Sequence, residues 1–158
     1  MKLAPRALPE LLAGRRIASV TGTNGKTTTT HFLTAAVRAG TSDSQRSVVT
    51  NADGANLHHG IVSALGQAPD ATIAVLETDE RVVADVVAMG SPEVLVLLNF
   101  SRDQLDRNHE LTFLGRDWRA ALEKAAEHGP TVVANACDPL IVWVCQKARH
   151  VIWVDTKP

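Results

Sequence analysis

A chain of 158 residues, 45% hydrophobic and 21% charged, has the size and composition of one globular domain with a real core. Its 16 basic and 17 acidic residues nearly cancel, so there is no basic surface for nucleic acid and no partner of that class is expected. No apolar stretch is long enough to span a bilayer, and Pro5, Arg6, Pro9 and Glu10 interrupt any signal-peptide core, so the expected location is the cytoplasm.

Residues 1–15 read as an N-terminal extension. The first strand, Ile17–Val20, runs directly into T-G-T-N-G-K-T-T at residues 21–28, and from there into a helix over Lys26–Ala39. Strand, glycine loop and helix in that order form the setting of a phosphate-binding loop. A triphosphate is gripped by backbone N–H groups at a helix N-terminus, and these reach it where glycines let the chain curl. Gly22 and Gly25 supply the curl, while Thr21, Thr23, Asn24 and Thr28 complete the cradle. Lys26 is placed to reach the β- and γ-phosphates and Thr27 to ligate a bridging Mg²⁺. Val20 stands where the general pattern has its first glycine. ATP and Mg²⁺ are therefore the expected cofactors.

The rhythm continues with a strand over Ser47–Thr50, a helix near Leu57–Leu65, a strand over Thr72–Leu76, a helix over Glu80–Met89 and a strand over Val94–Leu98. A loop at Asn99–Glu110 leads to a helix over Thr112–Glu127, a strand over Thr131–Ala134, a short helix over Pro139–Cys145 and a last strand over Val151–Val154. Alternation of this kind predicts an α/β fold of three layers around a mostly parallel sheet. Val94–Leu98 is apolar at every position, as expected when helices cover both faces of such a sheet.

Ligands of parallel sheets sit outside the carboxyl ends of the strands. That rule gathers Asn51, Glu77 and Asn99, each just past a strand, beside the glycine loop. Glu77 is the expected Mg²⁺ carboxylate, with a helix cap as the alternative role. Asp79 and Glu80 read as acids at a helix start, where they favour the macrodipole. His58 and His59 are adjacent and would point about 100° apart on a helix, so they cannot jointly ligate one metal. Leu114, Trp118, Leu122 and Ala125 share one helical stripe and read as core, as do Trp143 and Trp153. Cys137 and Cys145 lie outside any C-x-x-C arrangement and read as reduced thiols.

Five motifs in order carry a family resemblance: T-G-T-N-G-K-T-T-T-T from Thr21, T-N-A-D-G-A-N-L at 50–57, L-E-T-D-E at 76–80, L-L-N-F-S-R-D-Q-L-D-R at 97–107 and N-A-C-D-P-L at 135–140. From about Arg16 to Val154 the chain resembles the ATP-binding central domain of the Mur ligases, and within them looks closest to the MurT branch. The resemblance implies a carbon–nitrogen ligase that uses ATP to activate a carboxylate as an acyl phosphate, which an amine then displaces. For that branch the carboxylate is the α-carboxyl of D-glutamate in the lipid II stem peptide, at the inner face of the membrane, and the partner is a GatD-type glutaminase subunit that supplies ammonia. It further implies that Asn135 contacts adenine, with Asp138 in the same nucleotide loop or in a turn beside Pro139. Asn51, Asn56, Arg102, Asp103 and Arg107 are the candidate substrate-side residues.

The chain departs from the family pattern in three places. Gln104 replaces the histidine of the usual D-H-L-D, which removes a group that would help hold a second Mg²⁺. Arg116 and Arg119 occupy the helix where some members carry a carbamylated lysine. MurT-type proteins also continue into a four-cysteine zinc ribbon and a C-terminal domain that this sequence lacks, so zinc is expected only where that ribbon is present. A truncated chain, able to bind ATP without completing amidation, is the expectation. Two other readings stay open: another amide ligase of the superfamily, similar to folylpolyglutamate synthase or cyanophycin synthetase, and a non-catalytic nucleotide-binding module.

Overall fold

The computed structural model describes residues 6–41, 47–52, 54–100, 108–125 and 127–155, with backbone only at 108–111. Its elements are α1 (Ala7–Leu12), β1 (Arg16–Thr21), α2 (Lys26–Gly40), β2 (Val48–Thr50), α3 (His58–Gln67), β3 (Ile73–Glu77), α4 (Val83–Gly90), β4 (Val94–Leu97), α5 (Asn108–Lys124), β5 (Thr131–Asn135), α6 (Pro139–Cys145) and β6 (His150–Val154). The six strands form one sheet in the order β2-β3-β1-β4-β5-β6, and every neighbouring pair is parallel. The α/β three-layer architecture read from the sequence is the architecture observed.

One face of the sheet carries the main core. On its β4–β5 side, Leu95, Leu97, Val132 and Ala134 meet Leu114, Trp118 and Leu122 of α5 and Ile141 and Val144 of α6. On its β1–β3 side, Ile17, Val49, Ala74 and Leu76 meet Ile61 and Leu65 of α3, Val86 of α4, and Leu8 and Leu12 of α1. The segment read as an N-terminal extension thus places two leucines of α1 in the core. Such burial contributes about 1.5–3 kcal/mol per large side chain.

The opposite face is covered only in part. α2 packs over β1, β2 and β3, and among the described residues no helix covers β4 to β6 on that side. The uniformly apolar stretch Val94–Leu98 is therefore buried at alternate positions: Leu95 and Leu97 are fully enclosed, whereas Val94 and Val96 are half-buried. Two boundaries also differ from the sequence reading. α4 begins at Val83, not Glu80, which leaves Asp79 and Glu80 on the preceding loop; α5 begins at Asn108, inside the expected loop.

Trp118 is core, as its helical stripe implied, with its ring 4.5 Å from that of Phe100. Its indole N–H donates to the backbone carbonyl of Glu80 at 2.8 Å, which satisfies the one polar atom the ring would otherwise bury. Trp143 is half-buried under the Arg119 guanidinium, 4.7 Å from its centroid. Trp153 departs from the expectation: it is exposed, because β6 is an edge strand with a neighbour on one side only.

Replacing Trp118 with alanine would open a cavity at the junction of α5 with the β3–α4 loop. Chemical denaturation should show a loss of about 3–5 kcal/mol, far more than the same change at exposed Trp153.

Candidate functional site

Because every strand is parallel, all six carboxyl ends emerge on one rim, and the polar residues singled out by the sequence collect there. The glycine loop leaves β1 at this rim. Gly22 has φ +141°, and a Cβ on it would lie 2.8 Å from Leu98 Cβ and 2.9 Å from the Asn99 amide nitrogen. No larger residue fits between β1 and β4 at that point. Gly25 has φ +84° and sits at the N-cap of α2 without a capping side chain, so the first backbone N–H groups of that 15-residue helix face the rim.

Asn99 fastens this loop from the end of β4. Its Oδ1 accepts from the Asn24 N–H at 2.9 Å and its Nδ2 donates to the Asn24 carbonyl at 3.0 Å, while Thr23 N–H donates to the Asn99 carbonyl at 2.9 Å. Lys26 folds back over the loop it follows. Its Nζ donates to the Gly22 carbonyl at 2.6 Å and the Thr23 carbonyl at 3.3 Å, and lies 3.6 Å from Glu80 Oε2. Thr27 and Thr28 are exposed at the start of α2, and Thr21 is buried with its hydroxyl unpartnered among the described residues.

Glu77 closes β3 and is 2% exposed. Asn51, at the end of β2, grips its backbone on both sides: Oδ1 accepts from Glu77 N–H at 2.8 Å and Nδ2 donates to the Glu77 carbonyl at 2.8 Å. Asn56 donates to Glu77 Oε1 at 2.9 Å. Oε2 is buried with no donor among the described residues. A carboxylate oxygen in that condition is costly to keep, and its natural complement is a cation brought from solution. Glu77 is not a helix cap: α4 starts six residues later, and its N-cap, Val82, offers no side-chain bond.

Two acids set aside by the sequence reading lie in the same group. Glu80 faces Lys26, and Asp79 forms an ion pair with Arg81 at 2.8 Å. Burial works against the charged form of Asp79, but hydrogen bonds from Arg81, its charge and the more distant Lys26 outweigh this and hold the carboxyl below its usual range. The signal that could have found Glu80 is its place three residues past Glu77, on a loop that must turn back toward the rim before α4 begins.

On the other side of the loop, Asn24, Gly25, Thr29, Val96, Leu98, Asn99, Val133, Asn135 and Val154 line a cavity of about 300 Å³. Asn135 serves first as a brace, with Nδ2 donating to the Leu98 carbonyl at 2.9 Å and Oδ1 accepting from Cys137 N–H at 2.8 Å. Asp138 is the N-cap of α6, accepting from Leu140 and Ile141 N–H through Oδ1, and from Phe100 N–H at 2.6 Å through Oδ2. Its carboxylate is thus engaged in structure, the turn role that Pro139 had suggested. Arg102, Asp103 and Arg107, with Gln104, lie outside the described residues. His58 pairs with Asp85 at 2.8 Å, away from the glycine loop's contacts. Cys145 is buried, which pushes its thiol up to about 12, and neither cysteine is in a disulfide.

Residues 20–156 match the family model of the Mur ligase middle domain. The MurT subunit of the glutamine-hydrolysing lipid II isoglutaminyl synthase from Staphylococcus aureus is 33% identical over 127 residues, covering 79% of this chain and 28% of that protein. A UDP-N-acetylmuramate–L-alanine ligase from Saccharopolyspora erythraea is 36% identical over 134 residues, covering 84% of this chain and 25% of its own length. Among solved structures, a UDP-N-acetylmuramoyl-L-alanyl-D-glutamate–2,6-diaminopimelate ligase superposes with a TM-score of 0.66 at 23% identity, over 97% of this chain and 34% of that one. The chain thus spans about a quarter to a third of the proteins it matches.

The Asn51 clamp has a measurable consequence whatever the ligand. Asn51→Ala would leave the N–H and carbonyl of buried Glu77 without partners, each costing about 1–3 kcal/mol. Denaturation should report a loss of about 2–4 kcal/mol, and hydrogen exchange should show the Glu77 amide losing its protection.

Proposed function

The chain belongs to the Mur ligase family through its middle domain, and on that premise we propose that its rim binds Mg·ATP and serves an amide-forming ligase. The observation that carries this reading is the buried Glu77 oxygen with no donor among the described residues, on the same rim as a glycine loop whose lysine bonds the loop's own carbonyls and one acid. The Glu77 oxygen can take a ligand contact without losing a partner, and Lys26 can exchange its protein contacts for one. The residues fit the expected group: Glu77 and Thr27 would hold the metal, and the N–H groups at the start of α2 with Lys26 would hold the phosphates. The cavity of about 300 Å³ beside Asn135 is large enough for the nucleoside end. Bound Mg·ATP would supply the phosphoryl group that turns a carboxylate into an acyl phosphate.

What the protein's own residues contribute is positioning and charge. Asn99 fixes the loop so that its N–H groups do not have to reorganise when phosphate arrives, and Asn51 and Asn56 fix Glu77 in the same way. Lys26, free to swing on its four-carbon stem, would follow the phosphate charge. No nucleophilic side chain is needed, because transfer of a phosphoryl group depends on alignment and neutralisation.

For the full-length protein we assign the MurT-type reaction, amidation of the D-glutamate α-carboxylate of lipid II with ammonia from a GatD-type glutaminase, at the cytoplasmic face of the membrane. The similarity to the MurT subunit over four-fifths of the chain supports it. The comparable match to an L-alanine-adding ligase supports a second reading, in which the amine is an amino acid. The choice of amine separates them. Full-length protein with its glutaminase partner, lipid II, ATP and glutamine should give isoglutaminyl product by mass spectrometry; no product there, with an L-alanine amide formed when UDP-N-acetylmuramate, L-alanine and ATP are supplied, would select the second reading.

The nucleotide site is tested on the chain itself. Lys26→Ala should weaken Mg·ATP binding about 10–100-fold by calorimetry, the worth of a charge-assisted contact to phosphate, with the melting temperature nearly unchanged. Glu77→Gln keeps the shape and removes the charge, so ATP affinity should lose most of its dependence on Mg²⁺. Equal dependence in variant and wild type would remove Glu77 from the metal site.

A further inference from the structure

Glu80 has no role in the reading above, yet it is the acid that meets Lys26. The pair is 3.6 Å apart, with the side chains only 14% and 17% exposed, so it is less screened than a surface ion pair. The Glu80 backbone is held in place from behind, where its carbonyl accepts from the Trp118 indole N–H at 2.8 Å. Its carboxylate is therefore presented to Lys26 by a fixed support, and Lys26 is shared between that carboxylate and the carbonyls of Gly22 and Thr23.

We propose that Glu80 is the counter-ion that holds Lys26 over the glycine loop and makes the site discriminate against nucleotide that lacks its metal. The proposal rests on the nucleotide reading of the loop. An incoming triphosphate must take Lys26 from Glu80 and then lie beside a rim that carries Glu77, Asp79 and Glu80. Metal-free ATP gains Lys26 and the N–H groups of α2 but meets those acids with its phosphates unneutralised and leaves Glu77 without a cation. Mg·ATP brings the cation that satisfies Glu77 and arrives with its own charge reduced, so the loss of the Lys26–Glu80 contact is offset. Glu80 is a specificity-determining residue in this scheme; it need not touch the metal or the reacting atoms.

The test is calorimetry on the 158-residue chain, titrated with Mg·ATP and, separately, with ATP in excess chelator. Wild type should bind metal-free ATP far more weakly than Mg·ATP. Glu80→Gln should bind metal-free ATP about tenfold more tightly than wild type, the effect of removing one partly buried charge near the phosphates. Its Mg·ATP affinity should move by less than about threefold, so that the ratio between the two ligands collapses. Glu80→Ala, which keeps the carbonyl that anchors Trp118, should behave the same way and guards against a folding defect peculiar to one variant; an unchanged tryptophan emission, in which Trp118 is the fully buried member of three, reports that the anchor is intact. If both affinities stay at wild-type values while Lys26→Ala loses binding, the nucleotide site stands and the Glu80 proposal is overturned. If Glu80→Gln loses Mg·ATP affinity and gains none for free ATP, Glu80 is a metal ligand and the proposal is again overturned. A Lys26→Ala variant that binds as wild type does, or a wild type that binds neither ligand, would overturn the nucleotide reading and this proposal together.

Discussion

Parallel pairing is the constraint from which the rest of the structure follows. In an antiparallel sheet, the residues after successive strands would scatter to both ends. Here all six strands run the same way, so Asn51, Glu77, Asn99 and Asn135 share a rim although more than eighty residues separate the first from the last. The same constraint brings the start of α2 to that rim, because α2 begins where β1 ends. Chemistry that needs anion-binding N–H groups and a metal-binding carboxylate side by side is therefore supplied by topology before any side chain is chosen.

Topology alone would leave the strand ends frayed, and asparagines prevent this. Asn51 ties the end of β2 to the end of β3, Asn99 ties the end of β4 to the loop after β1, and Asn135 ties the end of β5 to the end of β4. Asn51 and Asn99 do so with donor and acceptor together, reproducing with a side-chain amide the two-way bond that a backbone ladder would make. Between β1 and β3 the splice is a pair of hydroxyls, Ser19 and Thr78, 2.7 Å apart and buried, with Thr78 N–H donating to the Val20 carbonyl. The site is rigid because the ladder is continued past its last backbone rung.

This scheme explains what the sequence disclosed and what it hid. The order of strands and helices was legible because β-branched runs and helical stripes alternate, and the position of Asn51, Glu77 and Asn99 followed from the strand ends. The coverage of the sheet was not legible: Val94–Leu98 is apolar throughout, and nothing local distinguishes Val96, half-exposed on a face with no helix above it, from Leu97 on the packed face. Trp153 misled for the same reason, since edge position is set by strand order. Asp138 and Asn135 have residue types suited to a ligand, but their oxygens are taken up by N–H groups that the folded chain brings to them. Glu80 was hidden by an acidic helix-start pattern that α4, beginning at Val83, does not use.

The division of labour among the acids of the rim has an energetic basis. Glu77 is enclosed, and Asn56 donates to one of its oxygens while the other has no donor among the described residues, a deficit of about 1–3 kcal/mol. Asp79 is neutralised by Arg81, and Glu80 is neutralised by Lys26. Among the described residues of the rim, Glu77 therefore gains from a cation without first losing a partner, and Lys26 delivers charge to phosphate by giving one up. A rim built in this way favours a ligand that brings negative and positive charge together, because an anion alone must take Lys26 from Glu80 while Glu77 still lacks a partner, and the cation removes that deficit.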